Sequence, residues 1–157
     1  MNSLVVYYSR TGTTRKVGEK LASLLKCVSE EIHDTTNRKG ILGFLNAGKD
    51  ATTKKLATIE KVNNDPASYD MVIIGTPMWN RRMSAAIRTY LTQYKDGFNK
   101  VAFFCTYQWT DDNPFEEMES LCGKKPVATL RLHRKREVAV DQFVEKAEEF
   151  IDRLAVS

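Results

Sequence analysis

Residues 4–14 read Leu4-Val5-Val6-Tyr7-Tyr8-Ser9-Arg10-Thr11-Gly12-Thr13-Thr14. Five apolar residues without polar alternation predict a short strand covered on both faces, and the stripe Val17, Leu21, Leu24 and Leu25 predicts a helix beginning near Thr14. The six residues between them carry four hydroxyls and one glycine. Such a loop suits an anion: N–H groups converge at the helix N-terminus, Gly12 lets the backbone approach closely, and Ser9, Thr11, Thr13 and Thr14 add donors. Capping the helix needs only one such side chain. The motifs GxxxxGK[ST] and GxGxxG are both absent, which argues against nucleoside-triphosphate and dinucleotide grips.

The same pattern repeats along the chain. Met71-Val72-Ile73-Ile74, Val101-Ala102-Phe103-Phe104-Cys105 and Val127-Ala128-Thr129-Leu130-Arg131-Leu132 predict further strands, and Val28 to His33 predicts a weaker one at an edge. Helical stripes fall at Met83, Ile87, Tyr90, Leu91 and Tyr94, and at Phe143, Ala147, Phe150, Ile151 and Leu154. Asn113 as N-cap, Pro114 at the first helical position and Glu116 signal one more helix. Strand and helix alternate about five times, so residues 1–157 are expected to form one α/β domain, a doubly wound three-layer sandwich with right-handed crossovers. Residues 35–58 are the least regular, with an apolar centre, Ile41 to Leu45, that reads as a short packed helix. Loops leaving the carboxyl ends of the strands share one face, where ligands bind in such sheets.

Composition narrows the function. With 157 residues, 42% hydrophobic and 28% charged, the chain has the balance of a globular protein with one core. No apolar stretch reaches the roughly 20 residues a bilayer span needs, and Met1-Asn2-Ser3 is no leader, so a cytoplasmic location without membrane attachment is expected. Cys27, Cys105 and Cys122 are odd in number with no CxxC pair, which speaks for reduced structural thiols and against a metal site. A net charge of +4 is too small to imply nucleic acid. His33 and His133 have no partner at catalytic spacing, and no catalytic residues are assigned.

Two more loops on the ligand face each bring a tryptophan: Thr76-Pro77-Met78-Trp79-Asn80 after the third strand and Thr106-Tyr107-Gln108-Trp109 after the fourth. Aromatic walls beside an anion site suit a flat phosphorylated cofactor. At these residues the chain resembles the flavodoxin family. VYYSRTGTT at 6–14 is similar to its phosphate loop and IGTPMW at 74–79 to its ring-binding loop, with further similarity at 40–50 and 83–91. The resemblance covers most of the chain. It implies a flavodoxin-like, five-stranded parallel sheet of order 2-1-3-4-5 with flavin mononucleotide (FMN) at the switch between strands one and three.

Carried over by position, the resemblance implies that Ser9, Thr11, Gly12, Thr13 and Thr14 hold the FMN phosphate, with Arg10 in the loop free to face solvent instead. Thr76, Pro77, Met78, Trp79 and Asn80 run along the ring, Trp79 stacking on it, while Thr106, Tyr107, Gln108 and Trp109 close the other side. That last loop lacks the glycines many relatives carry. The resemblance further implies a flavin cycling between oxidised, semiquinone and hydroquinone states, with Asn80 as the residue whose backbone turns toward the flavin N5. Arg81 and Arg82 would favour the reduced anion, and Asp111 and Asp112 would oppose it. His133-Arg134-Lys135-Arg136 is expected at the sheet edge, on the order of 10 Å from the ring. It reads as a solvated turn of long polar side chains or, with Arg38, Lys39, Arg81 and Arg82, as a docking patch for a redox partner protein with an acidic surface. An electron carrier is the leading function, and an FMN-dependent NAD(P)H:quinone or acceptor oxidoreductase the runner-up.

Overall fold

The strand β1 (Ser3–Tyr7) is buried at every residue and splits its side chains between two cores. Leu4, Val6 and Tyr8 enter one core, Val5 and Tyr7 the other. This is the period-two consequence of a strand with helices on both faces. The computed structural model describes residues 1–35, 56–109 and 114–156. The expected helix at Ile41 to Leu45, together with Arg38, Lys39, Asp111, Asp112 and Asn113, lies outside the described residues.

β1 leads into α1 (Thr13–Leu25) and then β2 (Val28–Glu31). Further on come β3 (Met71–Trp79), β4 (Arg82–Met83), α2 (Ala85–Tyr94), β5 (Lys100–Tyr107), α3 (Phe115–Cys122), β6 (Thr129–His133) and α4 (Val144–Ala155). The parallel sheet runs β2-β1-β3-β5-β6, and β4 pairs antiparallel with the end of β3. Counting the parallel strands alone, this is the order 2-1-3-4-5. Helices α2 and α3 pack on the core of Leu4 and Val6, through Ile87, Tyr90, Leu91 and Met118. Helices α1 and α4 pack on the core of Val5 and Tyr7, through Val17, Leu21, Ala147, Phe150 and Leu154. No helix of the described residues is long and apolar enough to cross a membrane.

Three local expectations change. The segment after Gly75 is not a loop: β3 runs on to Trp79, and the pairs Met78–Met83 and Trp79–Arg82 make a hairpin. Its two turn residues, Asn80 (φ 46°) and Arg81 (φ 66°), both have positive φ, as the hairpin turn matching strand twist requires. Met83 therefore belongs to β4 rather than to the following helix. That helix starts after Ser84, whose Oγ accepts from the Ile87 N–H at 3.3 Å. Pro114 precedes α3 instead of opening it, and the first turn of α3 carries Glu116 and Glu117, which suit the positive end of a helix.

Candidate functional site

The carboxyl ends of β1, β3 and β5 meet at a cavity of about 210 Å³. All of the candidate ligand residues except Gly12 and Thr76 line it, and Arg134 joins them. Thr76 lies beneath the cavity, fully buried. Its Oγ1 accepts from the Ser84 N–H at 2.9 Å and donates to the Pro77 carbonyl at 2.9 Å, tying the hairpin to the start of α2. Gly12 borders a second, adjoining depression.

The floor is the turn from β1 into α1. Gly12 is the N-cap in the left-handed region (φ 95°, ψ −9°) and offers no side chain to cap the helix. Its N–H donates to Ser9 Oγ at 3.0 Å, and its carbonyl accepts the Lys16 N–H at 3.0 Å. The first N–H groups of α1 thus have no side-chain cap, and no acidic residue stands in the first turn. An uncapped helix start with no nearby carboxylate of its own favours an external anion. Thr14 is buried and shares a hydrogen bond of 2.8 Å with Thr106, which ties the first turn of α1 to the end of β5 at the cavity.

The walls are aromatic. Trp79 is half-buried and meets Tyr8 edge to face, centroids 5.8 Å apart. On the other side Tyr107 lies edge to face with His133 at 5.3 Å and under the Arg131 guanidinium at 4.7 Å. Trp109, 84% exposed, forms the outer lip, and Lys135 Nζ stands 5.9 Å from its ring. Such geometry leaves a slot for a flat group with one edge near solvent.

Charge enters the cavity from residues whose roles the sequence did not separate. Arg10 faces the cavity rather than only solvent. Burial, and then the positive charge of Arg134, hold its guanidinium below the ordinary value. Arg134 follows the edge strand β6, as expected, and also lines the cavity. There β6 ends in a single π-helical turn, Arg134–Val138, closed by the Ala139 N–H on the Arg134 carbonyl at 2.9 Å. This turn folds Arg134 back toward β5, where Nη1 donates to Gln108 Oε1 at 3.4 Å. His133 Nδ1 caps the turn by accepting from the Lys135 and Arg136 N–H groups at 3.2 and 3.1 Å. Burial alone would raise the Glu137 carboxyl, yet the Lys146 ammonium and the His133 N–H hold it below its ordinary value. The only sequence signal for Arg134 was its place directly after a strand on the ligand face. Arg82, expected to act on a ligand, stands 3.6 Å from Glu117, which also pairs with Arg88 at 3.5 Å.

No protein-family model matches the sequence, and no curated protein does. Solved structures do. A flavoprotein in complex with FMN from Lactobacillus acidophilus NCFM is 25% identical, with a TM-score of 0.74 over 94% of this chain and 98% of that one. The chain has a flavodoxin-like fold. Two-electron reduced Megasphaera elsdenii flavodoxin matches over 93% of this chain and 98% of its own, at 15% identity and a TM-score of 0.58. A flavodoxin from the domain Archaea matches over 96% and 99%, at 15% identity and a TM-score of 0.55. In this chain both turn residues, Asn80 and Arg81, stand in the left-handed region. That conformation is rare for an arginine and is held by the β3–β4 pairing on either side.

Proposed function

We propose that the chain is one flavodoxin-like domain that binds FMN in this cavity and works as an electron carrier in the cytoplasm. The observation that carries the reading is the convergence, in one cavity, of an uncapped helix start rich in hydroxyls with two aromatic walls. The FMN held by the Lactobacillus acidophilus flavoprotein supports it. The residues present fit the cofactor. The N–H groups of residues 10–14 with Ser9, Thr11, Thr13 and Thr14 would hold the phosphate. Met78, Trp79, Asn80, Tyr107 and Trp109 would flank the ring.

Bound there, FMN would supply reversible one- and two-electron chemistry, its reduced form carrying negative charge. The protein's part is electrostatic and steric. Arg10 and Arg134 set two positive charges on the cavity wall, and Trp79 and Tyr107 limit access of water. Arg134→Gln is expected to lower a one-electron potential of the flavin by about 40 mV, the equivalent of about 1 kcal/mol for one partly screened contact. Spectroelectrochemistry checks this; an unchanged or raised potential contradicts it.

The open lip at Trp109 lets a partner approach a ligand in the cavity. The exposed side chains of Arg81 and Arg136 add positive charge to the surface, which suits a partner with an acidic surface. Stopped-flow mixing of the FMN-loaded chain with NADH and NADPH tests the carrier reading. We expect no direct reduction, and instead reduction by an acidic partner protein at a rate that falls as salt rises. Rapid reduction by either nucleotide would mark a reductase of quinones or similar acceptors.

A further inference from the structure

Beyond the phosphate loop lies a second depression, of about 510 Å³, that shares Thr11, Thr13, Gln108 and Arg134 with the cofactor cavity. It adds Lys16 from α1 and Lys135 from the turn after β6. The two spaces therefore meet between the phosphate loop and the side chains of Gln108 and Arg134, away from Trp79 and Asn80. Among the described residues that line the second space there is no carboxylate. Asp141 reaches Lys16 from outside it at 2.8 Å, with the Asp141 side chain 70% exposed and that of Lys16 42%, and a pair so solvated is weak enough to yield to a more highly charged anion. Val138 and Ala139 add an apolar wall beside the three cations.

A group that enters past Thr11 and Thr13 is one attached to the phosphate already on the loop. Three cations suit a second phosphate, and the apolar wall suits a base. We propose that this depression takes the adenylate half of a dinucleotide flavin, so that the chain accepts flavin adenine dinucleotide (FAD) as well as FMN. The inference rests on the reading that residues 9–14 hold a flavin phosphate. The missing GxGxxG argues only against a dinucleotide grip built on a glycine-rich turn; here side chains meet the second phosphate.

The test is a titration of the flavin-free full chain with FMN and with FAD, followed by flavin fluorescence, for the wild type and for the double variant Lys16→Gln, Lys135→Gln. We expect the wild type to bind FAD within about threefold of FMN, and the double variant to lose about tenfold in FAD affinity while FMN stays within about twofold, the scale of two partly exposed charge contacts. FAD refused by a wild type that binds FMN overturns this proposal alone. So does an equal loss for both flavins in the double variant. Binding of AMP to the FMN-loaded chain, with FAD refused, overturns it as well by showing a separate ligand. Failure to bind FMN overturns the cofactor reading together with it.

Discussion

Gly12→Val is expected to weaken FMN binding about thirtyfold, the equivalent of about 2 kcal/mol, in a chain that still folds. The reason is backbone conformation, not space. A Cβ added at Gly12 meets nothing closer than Arg15 Nη1 at 4.0 Å. Its φ of 95° is another matter, since a left-handed conformation costs an L residue roughly 1–2 kcal/mol and a β-branched one more. The chain can relieve that strain by rotating the loop, which breaks the Gly12 N–H bond to Ser9 and turns the neighbouring N–H groups away from their common centre. Gly12→Ala should lose about tenfold by the same argument. Flavin fluorescence titration checks both, with urea unfolding of the flavin-free variants alongside. A fall in stability with FMN affinity unchanged would show that Gly12 serves α1 rather than a ligand.

Gly75→Ala is expected to destabilise the chain by about 3 kcal/mol, although glycine-to-alanine changes in regular structure usually stabilise by about 0.4–1 kcal/mol. Two effects oppose each other here. Alanine narrows the unfolded ensemble, which helps. But the new Cβ would stand 2.0 Å from Phe104 Cζ, with two more ring atoms within 2.4 Å. Phe104 is fully buried in the core of α1 and α4, so the ring has no free volume to enter. Crowding wins, and the sign of the change is diagnostic. Gly75 also accepts the Tyr8 N–H at 3.2 Å, just where the chain turns into the phosphate loop. A urea midpoint raised by the substitution would contradict this packing of β3 against β5.

Much of this was readable from the chain. Residues buried on both faces cannot alternate, so Leu4 to Tyr8, Met71 to Ile74 and Val101 to Cys105 announced central strands. Val17, Leu21, Phe150 and Leu154 announced the helices that cover them. The edge strand β6 was legible by the opposite sign, Leu130 and Leu132 inward with Thr129, Arg131 and His133 only half-buried. What escaped was long-range. Nothing local to Pro77 and Met78 says that β3 continues, because the continuation depends on Met83 and Arg82 pairing back across the turn. Arg134 read as one of a solvated basic run. It comes to the cavity because a π-helical turn, capped by its neighbour His133, bends the backbone there. Thr76 read as a ligand residue by its place in a motif, yet its hydroxyl is spent on Ser84 and Pro77.

The central claim is that residues 9–14 hold a phosphate and so give FMN its grip. Riboflavin offers the same ring without that phosphate. Equilibrium titration of the flavin-free chain should therefore show one FMN per chain, bound at least about a hundredfold more tightly than riboflavin, the scale of several charge-assisted hydrogen bonds. Equal affinity for the two flavins, or none for either, would contradict it.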